Sequence, residues 1–434
     1  MNTPSLTDQA LALHRSGNLA EAERLYREAL AAEPRDFTAR HLLGVVFAQQ
    51  GRAEDALGEI TAALALQPGN ADALLNHANV LKTLGRAAEA LAGFNRTLEA
   101  RPGWPQALNN RGTVLQSLGR FDEALADYDA ALAAQPGHVE ALNNLGSVLQ
   151  DLKRPAEALA SYDQALRLAP QFAAAFNNRG SALLDLRRFA DALGCFDRAL
   201  SLRPGDAEAF NNRGNALQGL LRYDEAVASY DRALALRPDY PEAQSNRGGA
   251  LQQLKRHDEA LDSFERAGGQ PHAFGGAAMA ALNLCDWDRT ARIGAQMPAR
   301  VAAGQAIPPW VLLGYSSDQM LQLQCARNVI QTRFPLLPPA MAKGRYAHDK
   351  IRLAYISSDF VHHPVAAQIA QLIETHDRSR FEVLGISTGP DDGSAQRKRL
   401  MTAFDQFHDL KEQNPRSVAE LVRRMREEFA QAQS

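Results

Sequence analysis

Apolar positions recur at an interval of 34 residues over the N-terminal part of the chain. Alanine stands at Ala22, Ala56, Ala90, Ala124, Ala158, Ala192, Ala226 and Ala260. Four residues after each comes a large side chain: Tyr26, Ile60, Phe94, Tyr128, Tyr162, Phe196, Tyr230 and Phe264. Three further on stands a small one: Ala29, Ala63, Thr97, Ala131, Ala165, Ala199, Ala233 and Ala267. Steps of four and three fall on one face of a helix. A second small series precedes each alanine from Ala56 on: Gly44, Ala78, Gly112, Gly146, Gly180, Gly214 and Gly248. Glycine inside a helix costs roughly 1 kcal/mol against alanine, so its recurrence predicts close contact between two helices.

Polar punctuation keeps the same register. Pro34, Pro68, Pro102, Pro136, Pro170, Pro204 and Pro238 each end a second helix, because proline cannot donate to the helical ladder. The turn within a pair reads Leu118-Gly119-Arg120-Phe121-Asp122-Glu123-Ala124. A 34-residue helix–turn–helix with Gly, Ala, aromatic, Ala and Pro in this order resembles the tetratricopeptide repeat. Eight copies start near residues 3, 37, 71, 105, 139, 173, 207 and 241. Each buries its apolar face only by stacking, which predicts a mainly α, right-handed superhelical solenoid over residues 3–270.

After Gly268-Gly269 the register is lost, and Pro271 arrives one residue early. Residues 271–347 read as a helical bridging segment broken at Pro308-Pro309, Pro335 and Pro338-Pro339. From 348 to 434 the pattern changes. Ile351 to Ile356 and Phe381 to Ile386 read as buried strands, Val365 to Thr375 and Ser394 to Phe404 as helices. Strand–helix–strand–helix predicts a partial α/β, Rossmann-like segment with a parallel sheet. A ligand in such a sheet sits beyond the strands' carboxyl ends, where the loop Ser357 to Pro364 falls. The residues after Lys350 fall short of the 100–150 or so that a doubly wound domain usually takes, and the stretch after Leu421 reads as polar and helical. The expectation is a truncated α/β domain.

Composition narrows the class. Hydrophobic residues make 45% of the 434 and charged residues 22%, which fits a folded, soluble protein. The net charge of −3 and the lack of a long basic run predict no nucleic-acid or anionic-membrane partner. Cys195, Cys285 and Cys325 are spaced for neither a zinc site nor a disulfide framework, so free thiols are expected. No run of about 18 apolar residues is present to span a bilayer, and the N-terminus does not read as a signal peptide. The expected location is the cytoplasm, with no metal.

Two constellations carry candidate chemistry. Asparagine stands at Asn76, Asn110, Asn144, Asn178, Asn212 and Asn246, each in the first helix of its pair. A side-chain amide offers two donors and one acceptor, which matches the backbone of an extended peptide and ignores its side chains. The same residues can instead hold neighbouring helices, and the two readings weigh about evenly on the motif alone. The second constellation is in the tail. Tyr355-Ile356-Ser357-Ser358-Asp359-Phe360, His363-Pro364, Phe381-Glu382-Val383 and Pro390-Asp391-Asp392-Gly393 resemble the opening of the catalytic domain of O-GlcNAc transferases, and Leu284-Cys285-Asp286-Trp287 resembles the bridging region of bacterial members.

That resemblance implies repeats joined to two Rossmann-like lobes and transfer of N-acetylglucosamine from UDP-GlcNAc to serine or threonine hydroxyls of proteins. It implies that the asparagine row binds polypeptide and that His363 is the active-site histidine. A histidine can exchange a proton near neutral pH; it can equally cap the helix that follows or face water. Where the family has a further histidine this chain has Ala367. No cofactor is expected beyond UDP-GlcNAc as the family's donor. Three readings stay open: a polypeptide-binding protein with an inactive tail, a glycosyltransferase completed by another chain, and a tetratricopeptide adaptor or assembly scaffold with no glycosyltransferase role.

Overall fold

The computed structural model describes residues 5–270, 272–333 and 350–410. Pro271, the breaks at Pro335 and Pro338-Pro339, and the stretch after Leu421 lie outside the described residues. The chain divides into two compact units, 1–329 and 330–434.

In the first unit sixteen helices from Leu6–Arg15 to His257–Ala267 follow one another in antiparallel pairs. In repeat 4 the pair is Pro105–Ser117 and Phe121–Ala134; the next three repeats copy it, and the eighth ends its second helix earlier, at Ala267. The core lies within and between the pairs. Tyr26, Ile60, Phe94, Tyr128, Tyr162, Phe196 and Tyr230 are each fully buried. Their depth explains the glycines of the first helices. A methyl group placed on Gly112 would stand 2.7 Å from the Tyr128 ring, and one on Gly146 2.5 Å from Tyr162. Repeat 3 solves the same problem from the other side: Ala78 stands in the glycine's place, and Gly93 of the second helix faces it. Each second helix ends two residues before its proline, as at Leu66 and Pro68.

Five further helices continue the unit: Ala273–Leu284, Trp287–Gly294, Met297–Ala302, Pro309–Leu313 and Gln319–Arg333. They are not a separate body. One apolar cluster runs from Leu217 and Tyr230 through Phe264 and Phe274 to Val311, Leu312 and Cys325.

In the second unit β1 (Ile351–Ser357), β2 (Phe381–Ser387) and β3 (Gln406–Asp409) form a parallel sheet in the order β1-β2-β3. Ile351 pairs with Phe381, and Leu384 with Gln406. Helices Pro364–Glu374 and Ala395–Ala403 make the crossovers. Phe360, Ala366, Ala370, Ile373, Val383 and Leu400 are fully buried between sheet and helices. The short strand β3 was not foreseen. It has only four residues, Gln406-Phe407-His408-Asp409, too few for periodicity to register.

Candidate functional site

The asparagine row lies along the first helices, but its amides are not idle. Asn144 donates a side-chain N–H to the Asn109 side-chain oxygen, Oδ1, of the preceding repeat at 2.9 Å. Asn178 does the same to Asn143 at 3.0 Å, Asn212 to Asn177 at 3.2 Å and Asn246 to Asn211 at 3.0 Å. The acceptors form a second asparagine row, one residue upstream and buried: Asn109, Asn143, Asn177 and Asn211. Sequence reasoning did not single out that row, although it too keeps the 34-residue interval. At the ends the partner changes with the sequence. Asn76 pairs with His41 at 2.9 Å, and Asn110 reaches Asn79 at 2.8 Å because the upstream position holds Leu75.

Each row amide therefore commits one of its two N–H groups to the preceding repeat. Its oxygen receives only long contacts within its own helix, 3.3 Å from Asn109 to Asn110 and 3.4 Å from Asn143 to Asn144. In these bonds one donor and most of the acceptor capacity remain, which is what a passing peptide group requires. Farther along the same helices lies a polar series that sequence reasoning missed. The Tyr162 hydroxyl donates to Gln150 at 2.7 Å, and Gln150 donates to Asp185 of the next repeat at 3.2 Å. Gln116 likewise joins Tyr128 to Asp151, donating at 2.7 Å. The signal was available as Gln116, Gln150, Gln218 and Gln252 at the repeat interval or a multiple of it.

His363 sits at the start of the helix Pro364–Glu374. Its Nδ1 accepts the Val365 N–H at 3.2 Å, so it caps the helix, and its side chain is 43% exposed. Asp359 is the nearest carboxylate, at 4.0 Å from Nδ1. The loop that carries it is held firmly. The His362 N–H donates to Asp392 at 2.6 Å, Thr388 N–H to Ser357 O at 3.1 Å, and Gly389 abuts the Ser358 carbonyl so closely that no side chain fits. The His362 N–H, with Ser394, holds the Asp392 carboxyl down at about 2.

Arg397 is the residue that composition and motif did not mark. It is 1% exposed and lies beside the strand ends. Its guanidinium donates to Phe360 O at 3.0 Å, Ser387 Oγ at 3.1 Å and Asp409 at 2.6 Å, with Asp391 3.0 Å from Nε. It thus ties the loop after β1 to the ends of β2 and β3.

The comparisons with known proteins agree with both halves. Tetratricopeptide repeat models match residues 7–71, 47–109, 105–171, 173–206 and 211–273. The model of glycosyl transferase family 41 matches residues 335–422. The chain is a tetratricopeptide-repeat protein that carries a segment of glycosyl transferase family 41. It is 26% identical over 158 residues to a probable UDP-N-acetylglucosamine–peptide N-acetylglucosaminyltransferase of Arabidopsis thaliana, over 32% of this chain and 16% of that one. It is 38% identical over 61 residues to the Caenorhabditis elegans UDP-N-acetylglucosamine–peptide N-acetylglucosaminyltransferase, 14% of this chain and 5% of that one. The alignments thus span far less than two thirds of either relative. Among solved structures it is similar to a tetratricopeptide repeat protein from Parabacteroides merdae, with 19% identity, 56% and 98% of the two chains covered, and a TM-score of 0.47. It is also similar to YrrB, described as a tetratricopeptide protein with an unusual peptide-binding site, with 27% identity, 42% and 95% covered, and a TM-score of 0.35. Among the described residues no helix is long and apolar enough to cross a membrane.

Proposed function

We propose that the face of first helices binds polypeptide in extended form, and that this presents substrate proteins for the family's transfer of N-acetylglucosamine from UDP-GlcNAc to serine or threonine. The observation that carries the reading is the amide row, with donor and acceptor capacity left at each repeat, in one chain with the family 41 segment. Backbone recognition of this kind accepts many sequences. The expected setting is the cytoplasm.

For this chain by itself we propose no transfer. Departure of a nucleoside diphosphate needs fixed cations or N–H donors where charge develops. Arg397, the cation buried beside the strand ends, is spent on Asp391 and Asp409. His363 has its Nδ1 engaged in a cap. The second reading, an adaptor or scaffold, draws support from the amide bonds between repeats, which give the asparagines an architectural task.

Two measurements decide. Fluorescence anisotropy of a labelled, unstructured peptide should show binding to the full chain, weakened when Asn110, Asn144, Asn178 and Asn212 become alanine together. Equal affinity for a variant that circular dichroism shows to be folded makes the row architectural. Calorimetric titration with UDP, then incubation with labelled UDP-GlcNAc and a protein extract, should show neither binding nor label. Label incorporated by the chain and lost in His363→Ala establishes it as an enzyme.

A further inference from the structure

The row ends against something that the other repeats lack. Beyond Asn246 the helices that follow the repeats close on the same face and leave a cleft of about 300 Å³. Its walls are Met279, Pro308, Val311 and the edge of Phe264, and Trp310 stands in its lining with 57% of its surface exposed. Asn246 and Gln218 lie at the polar side.

Three glycines make the space. Gly249 occupies the position where earlier repeats carry Thr113, Ser147, Ser181 and Asn215. A methyl group there would meet only the Gln218 amide, at 3.9 Å, so the missing side chain is missing volume. Gly275 and Gly276, on the helix Ala273–Leu284, do the opposite: methyl groups on them would strike Pro308 and the Phe264 ring, so their absence lets that helix press close and form the wall. The lining is chiefly apolar with a few convergent amides, the usual make-up of a site for an apolar group whose neighbours hydrogen-bond.

We propose that this cleft takes one large apolar side chain, aromatic or branched aliphatic, of the extended polypeptide whose backbone lies along the asparagine row. The proposal rests on the polypeptide reading above and adds to it a register and a sequence preference. A row of amides at equal spacing lets a peptide slide by one repeat at no cost. An apolar anchor at one end removes that degeneracy, because a side chain buried there must be exposed again for the peptide to shift. The occupant is a polypeptide rather than a free small molecule because Asn246 is both the last member of the row and part of the cleft's lining.

The test uses the full chain and a fluorescein-labelled Ser/Ala peptide with a single central Phe, beside the same peptide with Ala there. The Phe peptide should bind roughly tenfold more tightly, the share of a buried side chain's transfer energy left after ordering costs. It should shift the protein's indole fluorescence, and Trp310→Phe should abolish that shift. Gly249→Leu, which fills the cleft from an open helical position, should bring the Phe peptide down to the affinity of the Ala peptide. If Gly249→Leu does not fold, Trp310→Ala serves in its place. Equal affinity of both peptides for the wild-type chain overturns the anchor and leaves the polypeptide reading standing. Binding of neither peptide overturns both. A Phe preference that survives in Gly249→Leu and in Trp310→Ala puts the side chain elsewhere and overturns the anchor.

Discussion

At the scale of single residues the repeats differ most in their turns. In the turn that follows the first helix of each pair, one residue has positive φ in all eight. In the first four it is glycine: Gly17, Gly51, Gly85 and Gly119, at φ between 72° and 81°. In the last four it is Lys153, Arg187, Leu221 and Lys255, at φ of 58° to 60°. A side chain in the left-handed region costs about 1–2 kcal/mol, which glycine avoids, although glycine loses more entropy on folding. Leu221 is 70% exposed, so its side chain adds little packing. Leu221→Gly should therefore stabilise the array by about 1 kcal/mol, read as a higher urea midpoint with unchanged slope. A lower midpoint would show that the leucine's contacts outweigh its backbone strain. A second residue-scale effect concerns pH. His41 is buried, which pushes its imidazole below the ordinary value of 6.5, and Asn76 sits 2.9 Å from its Nε2. With the folded value depressed, the stabilisation is present above 6.5 and is lost as pH falls from there through the folded value. His41→Asn, which copies the residue found at this position in later repeats, should flatten the dependence of the thermal midpoint below pH 6.5. An equal slope in both proteins would remove His41 as the cause.

At the scale of the element the governing fact is how closely the two helices of a pair approach. Helix propensity alone favours alanine over glycine by about 1 kcal/mol, so Gly146→Ala ought to stabilise an isolated helix. In the pair the new methyl meets the Tyr162 ring at 2.5 Å. Tyr162 is fully buried and its hydroxyl is bonded to Gln150, so the ring cannot yield freely. Overpacking of this kind costs about 1–3 kcal/mol, and Gly146→Ala should lower the denaturation midpoint despite its better propensity. Ala158→Leu, at another fully buried small position, should cost a similar amount. An unchanged midpoint in either variant would mean that the helices separate more easily than their packing suggests. The pairing of Ala78 with Gly93 in repeat 3 makes the same point from natural variation: the chain conserves the approach rather than the residue. Charge follows a similar logic. Arg179, Arg213 and Arg247 reach back to Asp163, Asp197 and Asp231 of the preceding repeat. Repeat 5 has Leu145 at that place, so Asp129 lacks this ion pair; partial desolvation pushes its carboxyl up against the pull of Arg154.

At the scale of the whole molecule the asparagine rows join repeat to repeat, so they bear on cooperativity as well as on binding. Each buried amide bond nets about 0.5–1.5 kcal/mol, and leaving Asn109 without its partner costs more than removing both. Asn144→Ala and Asn109→Ala should therefore be less than additive, with a coupling of about 0.5–1.5 kcal/mol in a double-mutant cycle by urea denaturation. Strict additivity would mean that the bond contributes nothing between repeats. This also sets a condition on the binding test: the fourfold row variant removes up to four such bonds and is expected to lose roughly 2–6 kcal/mol, so its helicity has to be confirmed before its affinity is read.

The amino-acid sequence alone was enough for the repeat, the pairing of helices, the buried aromatics and the strands β1 and β2, because each rests on a period that one helix or strand imposes on its own residues. It also marked the asparagine row and His363 as positions. What those side chains do was a matter for the tertiary structure. The bond from Asn144 to Asn109 joins residues 35 apart on different helices, and nothing in their spacing says whether an amide points to its neighbour or to open space. His363 becomes a cap only because Pro364 begins a helix at that point. Arg397 gains its place from three strand ends that meet after folding, and the cleft beside Asn246 from a helix that leaves the repeat register. Periodicity is a local property of the chain and can be read along it. A site is made by contacts between segments far apart in sequence, and those exist only once the segments have packed.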